Sequence, residues 1–163
     1  MPDNSMLVNG SRNAPITLVL AHGAGAPMDA PFMNTVAEAI GGKEVRVVRF
    51  EFPYMAARRT TGKRGAPDRE PILIDSWRSI IAKLGDPARL AIGGKSMGGR
   101  IASMVADDAG VAGLVCLGYP FHPPGNPGRT RVKHLENLRT PTLIIQGTRD
   151  SFGRPEEVTT YKL

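Results

Sequence analysis

Residues 90–105 read LAIGGKSMGGRIASMV, and the stretch changes character in its middle. Leu90 to Ile92 is apolar at every position, as in a strand buried on both faces, whereas Ile101, Met104 and Val105 recur at helical spacing up to a closing Gly110. At the junction stands Gly94-Lys95-Ser96-Met97-Gly98, a GxSxG pattern whose flanking glycines permit a strained strand-to-helix turn that lifts the serine hydroxyl out of a sheet. In a chain with 19 glycines the pattern alone says little. Its position, directly after a strand and at the head of a helix, is the one the chemistry requires. Two other glycine-rich turns fail on spacing. A phosphate loop GxxxxGKS would need glycine where Arg89 stands, and a GxGxxG fingerprint starting at Gly23 meets Met28 at its third position.

The alternation continues on both sides. Ile16 to His22 reads as a strand followed by the turn Gly23-Ala24-Gly25-Ala26, then a helix capped by Asp29, with Pro31 in its first turn and Gly41-Gly42 at its end. Val45 to Phe50 reads as the next strand, and Leu73, Trp77, Ile80, Ile81 and Leu84 fall at helical spacing after it. Leu114 to Leu117 and Thr142 to Gly147 complete five strands; Pro120 to Pro127 is loop, and Val132 to Leu138 a weaker helix candidate. Apolar strands separated by helices predict an α/β protein, a three-layer α/β/α sandwich on a mostly parallel sheet, with residues 1–163 forming a single domain.

Composition narrows the function. A chain of 163 residues that is 41% hydrophobic can bury one core, and no apolar run approaches the roughly 20 residues of a bilayer crossing, so no membrane partner is expected. Asp3 and Asn4 ahead of Met6-Leu7-Val8 do not read as a secretory signal, which places the expected location in the cytoplasm. The single Cys116, inside Leu114 to Leu117, reads as an inert core thiol. The net charge of +6 is concentrated in a basic loop, 58–69, carrying Arg58, Arg59, Lys63, Arg64 and Arg69. A solvated loop is the plain reading, and a landing site for anionic substrates the sharper one. Aromatic residues, at 6%, do not alternate with these charges, so no nucleic-acid partner is expected.

A serine nucleophile at Ser96 needs amides aimed at the developing oxyanion. The Met97 N–H at the head of the helix is one candidate, and the Ala24 N–H in the small-residue turn after the first strand is the other. Asp150, closing the last strand, is the candidate acid, with an ordinary turn aspartate as its alternative. His22, Gly23, Tyr119 and His122 are the candidate pocket lining, with anchoring of the loop backbone the plain reading of His22 and a structural contact the alternative for His122, and His134 is expected to be exposed. The order in this kind of site is serine, acid, histidine, yet all three histidines precede Asp150.

The segments AHGAGAPMDAPFM, EFPYMAARR, GGKSMGGRIAS, GYPFHPPG and TPTLIIQGTRDSFG together resemble a dienelactone-hydrolase-like group of α/β-hydrolases, from about Ile16 to the end. The resemblance implies a serine hydrolase cleaving a carboxylic ester or similar small-molecule acyl substrate, without metal or cofactor, its nucleophile carried over to Ser96 and its acid to Asp150. Ser151 stands where the group commonly has proline. The group also continues through a further strand, a loop bearing the catalytic histidine and a closing helix, whereas this sequence stops at Leu163. The expectation is therefore a C-terminally incomplete domain, a gene fragment or a chain completed by a partner, with the edge 142–145 prone to self-association. The alternative is a non-catalytic binding or scaffold protein on the same fold, since the group includes a noncatalytic-looking subunit of a chromatin acetyltransferase complex.

Overall fold

Successive residues of a strand face opposite sides of the sheet, so a strand apolar throughout needs cover on both. The computed structural model describes residues 5–163 and supplies that cover. Six strands, β1 (Leu7–Asn9), β2 (Ile16–Ala21), β3 (Val45–Phe50), β4 (Leu90–Lys95), β5 (Gly113–Leu117) and β6 (Thr142–Ile145), form one sheet in the order β1-β3-β2-β4-β5-β6. β1 runs antiparallel to β3, and every other neighbouring pair is parallel. Helices α1 (Pro31–Ile40), α2 (Pro53–Thr61), α3 (Glu70–Leu84), α4 (Met97–Ala109) and α5 (Pro155–Val158) follow between and after them.

The strand period divides the core in two. Val19, Ile92, Leu114 and Cys116 pack with Trp77 and Ile80 of α3 and Ile101 and Val105 of α4, while Leu18, Leu20 and Val47 pack with Met33 and Ala37 of α1. Helices on both faces of a mostly parallel sheet make the three-layer α/β/α sandwich expected from the sequence. The Cys116 thiol is fully buried, donates weakly to the Gly99 carbonyl at 3.6 Å, and is pushed up to about 12 by burial. No helix among the described residues is long and apolar enough to cross a membrane.

Several local expectations need correction. A sixth strand, β1, uses Leu7 to Asn9 to cover the β3 edge, in a segment too short for a periodic signal. The basic loop begins inside a helix: α2 starts at Pro53, whose fixed φ suits a first turn, and is closed by Gly62 in the left-handed conformation at φ 68°, so Arg58 and Arg59 sit in its last turn. Asp29 does not cap α1, whose cap position is Ala30, because Arg59 engages its carboxylate. Val132 to Leu138 contains only a 3-10 turn, Leu135–Asn137, and the last strand ends at Ile145 instead of Gly147. On β6, the sheet edge, Leu143 and Ile145 are 55% and 56% exposed.

Candidate active site

Ser96 is the hinge between β4 and α4. Its backbone sits at φ 50°, ψ −116°, the one positive φ outside glycine among the described residues, in a region that costs a side-chain-bearing residue of order 1–3 kcal/mol. Hydrogen bonds hold the turn from both sides: the Ser96 N–H donates to the Leu117 carbonyl at 3.0 Å, and the Arg100 N–H donates to the Ser96 carbonyl at 3.0 Å. Glycine is required on either flank. Gly94 has φ 152° and a side chain there would run into the Ala21 carbonyl, while a Cβ on Gly98 would lie 2.5 Å from the same oxygen and 2.6 Å from the His22 carbonyl. The half-exposed Ser96 opens on a cleft of about 300 Å³ shared with Ala24, Met97, Pro120 and Phe152 and with two cations, Arg100 and Arg131.

The turn after β2 lies against this hinge. A side chain on Gly23 would come within 3.8 Å of Ser96 Cβ, and Ala24 is exposed at the cleft. The Gly23–Ala24 peptide is pinned from behind by His22. The His22 Nε2 accepts the Phe52 N–H at 3.1 Å, which leaves the proton on Nδ1 to donate to the Gly23 carbonyl at 2.7 Å. Because a trans peptide sets its carbonyl and N–H in opposite directions, drawing the Gly23 oxygen into the core turns the Ala24 N–H outward. That N–H has no acceptor among the described residues. The Met97 N–H, at the first position of α4, has no intrahelical acceptor either, and the helix dipole adds to its pull on an anion.

Residues of α2 and the end of β3 clasp the same turn. Tyr54 Oη donates to the Ala24 carbonyl at 2.9 Å, and the Arg59 guanidinium bridges Asp29 and the buried Glu51, with its Nη2 2.6 Å from an oxygen of each. Glu51 in turn accepts the Met28 N–H at 3.2 Å, and Arg59 holds the Asp29 carboxyl below the usual carboxylate range. This clamp was missed from sequence, since its members lie at 28–29, 51 and 59; the signal for α2, proline at its start and glycine at its end, was there to read.

Asp150 stands at the same sheet edge. Lys95, Leu117 and Ile145 are in register across β4, β5 and β6, so the turns that follow these strands emerge side by side. Asp150 Oδ2 lies 3.3 Å from where a Cβ of Gly118 would stand, and Oδ1 accepts the Phe152 N–H at 2.9 Å. The aspartate is thus a turn residue and also presents a carboxylate one strand away from Ser96.

His22 anchors the loop backbone, as its plain reading has it, but the lining candidates are placed differently from the expectation. His22 and Tyr119 are fully buried, His122 is 2% exposed, and Gly23 is buried, so none of the four lines the cleft. Tyr119 is turned inward, its hydroxyl donating to the Arg131 carbonyl at 2.9 Å. His122 is tied to the Pro123 carbonyl at 2.7 Å and to Glu157 of α5 at 3.0 Å. His134, expected in solvent, is half-buried with its Nε2 2.8 Å from the Ser103 hydroxyl. No histidine among the described residues hydrogen-bonds Ser96 or Asp150, and no cluster of three or more His, Cys, Asp or Glu is placed to hold a metal ion.

These histidines give stability opposite dependences on pH. Burial lowers the pKa of His22 and His134, so unfolding takes up protons that the folded chain refuses, and stability falls as pH drops through the ordinary value of 6.5. The Pro123 carbonyl and then Glu157 raise His122, which adds stability fully present below 6.5 and lost as pH rises through the raised value. Replacing His122 with asparagine is therefore expected to steepen the fall in thermal midpoint between about pH 7.5 and about pH 5.5. Equal slopes in variant and parent would contradict the assignment.

Residues 14–163 match the family described as "Alpha/beta hydrolase domain". Among solved structures the chain resembles a lidless α/β serine hydrolase of Xanthomonas campestris at 21% identity, with a TM-score of 0.69 over 95% of this chain and 70% of that one. It also resembles an α/β serine hydrolase homologue of Coxiella burnetii at 22% identity, with a TM-score of 0.71 over 95% and 73% of the two chains. A monoacylglycerol lipase of Paleococcus ferrophilus, 15% identical, gives 0.65 over 96% and 82%.

Proposed function

The chain belongs to the family of alpha/beta hydrolase domains, and from that footing we propose that it is built to cleave a carboxylic ester or similar acyl substrate through Ser96. The observation that carries the reading is the strained Ser96 backbone, kept at a cleft mouth where strain is costly and where a glycine would sit without it.

The chemistry follows from the positions. Ser96 Oγ attacks the acyl carbon as its proton passes to a base, and the Ala24 and Met97 N–H groups receive the oxyanion. Collapse of the tetrahedral intermediate returns the proton to the departing alkoxide and leaves an acyl-serine, which water hydrolyses by the same steps. Asp150 is the acid that orients the base. Among the described residues His22, His122 and His134 are all engaged elsewhere, so none of them is placed to be that base.

This engagement also favours a second reading, a binding protein that keeps the hinge without turnover. A fluorophosphonate probe, applied with and without imidazole as an external base, separates the two. The hydrolase reading expects slow labelling, mapped to the Ser96 peptide and accelerated by imidazole. Absence of labelling in both conditions leaves the binding reading standing.

A further inference from the structure

Two guanidinium groups share the wall of the Ser96 cleft, and only one of them is neutralised. Arg100 lies one helical turn beyond Ser96, and its Nη2 pairs with Glu70 of α3 at 2.7 Å. Arg131 is held by its backbone, its N–H donating to the Phe121 carbonyl at 2.7 Å and its carbonyl accepting from the Tyr119 hydroxyl at 2.9 Å. Its side chain forms no hydrogen bond or ion pair among the described residues. Burial lowers its pKa, the cations Arg100 and Arg129 lower it further, and Tyr119 acts weakly in the other direction.

A guanidinium kept half-buried beside like charge is costly unless an anion meets it. Arg58 and Arg59, the other basic pair near the site, do not serve this cleft: they border a separate hollow with Pro27 and Met55. The head of α4, a helix of 13 residues, adds positive potential to the mouth where Ser96 stands.

We propose that Arg131, seconded by the Glu70-anchored Arg100, is a specificity-determining site for acyl substrates carrying a carboxylate or phosphate group close to the scissile ester. This rests on the reading of Ser96 as the acyl-accepting serine, because it places the anion in the same cleft. A planar fork of donors suits both anions, bidentate for a carboxylate and equally able to span two phosphate oxygens.

The test measures binding, so that it does not depend on turnover. Calorimetric titration of the Ser96→Ala chain would compare monomethyl glutarate, an anionic ester, with the neutral dimethyl glutarate, and 2-acetoxyethyl phosphate with 2-acetoxyethanol as the phosphate arm. The expected result is about tenfold tighter binding of the anionic member of at least one pair, weakened by added salt. The pair that discriminates more identifies the anion. Arg131→Gln should remove the preference and Arg131→Lys should retain part of it, which separates loss of charge from loss of fold. Equal binding within both pairs, no detectable binding of either anionic ester, or a preference that survives Arg131→Gln would each overturn the proposal. Failure of the fluorophosphonate experiment with this preference intact would remove the hydrolase reading and leave an anion-binding cleft.

Discussion

Replacing Ser96 with glycine is expected to make the chain more stable by about 1 kcal/mol while abolishing fluorophosphonate capture altogether. The first effect comes from the backbone. Ser96 at φ 50°, ψ −116° carries strain of order 1–3 kcal/mol, which a residue without Cβ does not feel. Against this, glycine gives the unfolded chain more freedom, a loss of about 0.4–1 kcal/mol that reduces the gain. The second effect is chemical, since the only atom placed to attack the probe is gone. A change that strengthens the fold and ends the chemistry identifies a conformation kept for function. Ser96→Ala provides the matching comparison, losing capture without the relief. If glycine proves no more stable than alanine at this position, the hinge is not strained and the main support for a nucleophile there is removed.

Gly94→Ala carries the largest expected cost. Gly94 pairs with Ala21 on β2 and Cys116 on β5, so it stands in the interior of the sheet, and a Cβ there would drive into the Ala21 carbonyl. Its φ of 152° adds a conformation that L side chains rarely take. Neither backbone can retreat without breaking a parallel ladder, so the expected loss is about 3 kcal/mol or more, a large part of the stability of an ordinary domain. Gly113→Ala is the control. There the nearest atoms to a new Cβ are the Pro141 carbonyl oxygen at 3.6 Å and Ala91 Cβ at 3.8 Å, ordinary contact distances, and the change should stay within about 0.5 kcal/mol. Denaturant midpoints for the two variants check the pair, and similar midpoints would mean that β4 does not approach β2 as described.

The architecture was readable because it rests on local repetition. Uninterrupted apolar strands, helical spacing in α3 and α4, and a glycine-flanked serine between strand and helix each express one period or one steric requirement, and each survives in the fold. Ser96, Met97, Ala24 and Asp150 were singled out in the same way, as residues that follow strands in a parallel sheet and so emerge at one edge. What escaped the sequence depends on contacts across the chain. That His22 anchors the loop is the plain reading of its position, but its partner, the Phe52 N–H 30 residues away, is not. His134 reads as solvated in a polar segment, and only the fold brings Ser103 to it. The clamp of Arg59 on Asp29 and Glu51 is invisible for the same reason, and so is the lack of a carboxylate partner for Arg131 among the described residues.

The buried Cys116 gives every molecule a built-in stopwatch. With one thiol in the chain, shut inside the sheet and nearly undissociated at neutral pH, a bulky disulfide reagent can react only when β5 parts from its neighbours. The pace of modification then counts openings around β5, with no signal from frayed ends or surface loops, and it can be followed in a spectrophotometer without introducing any label.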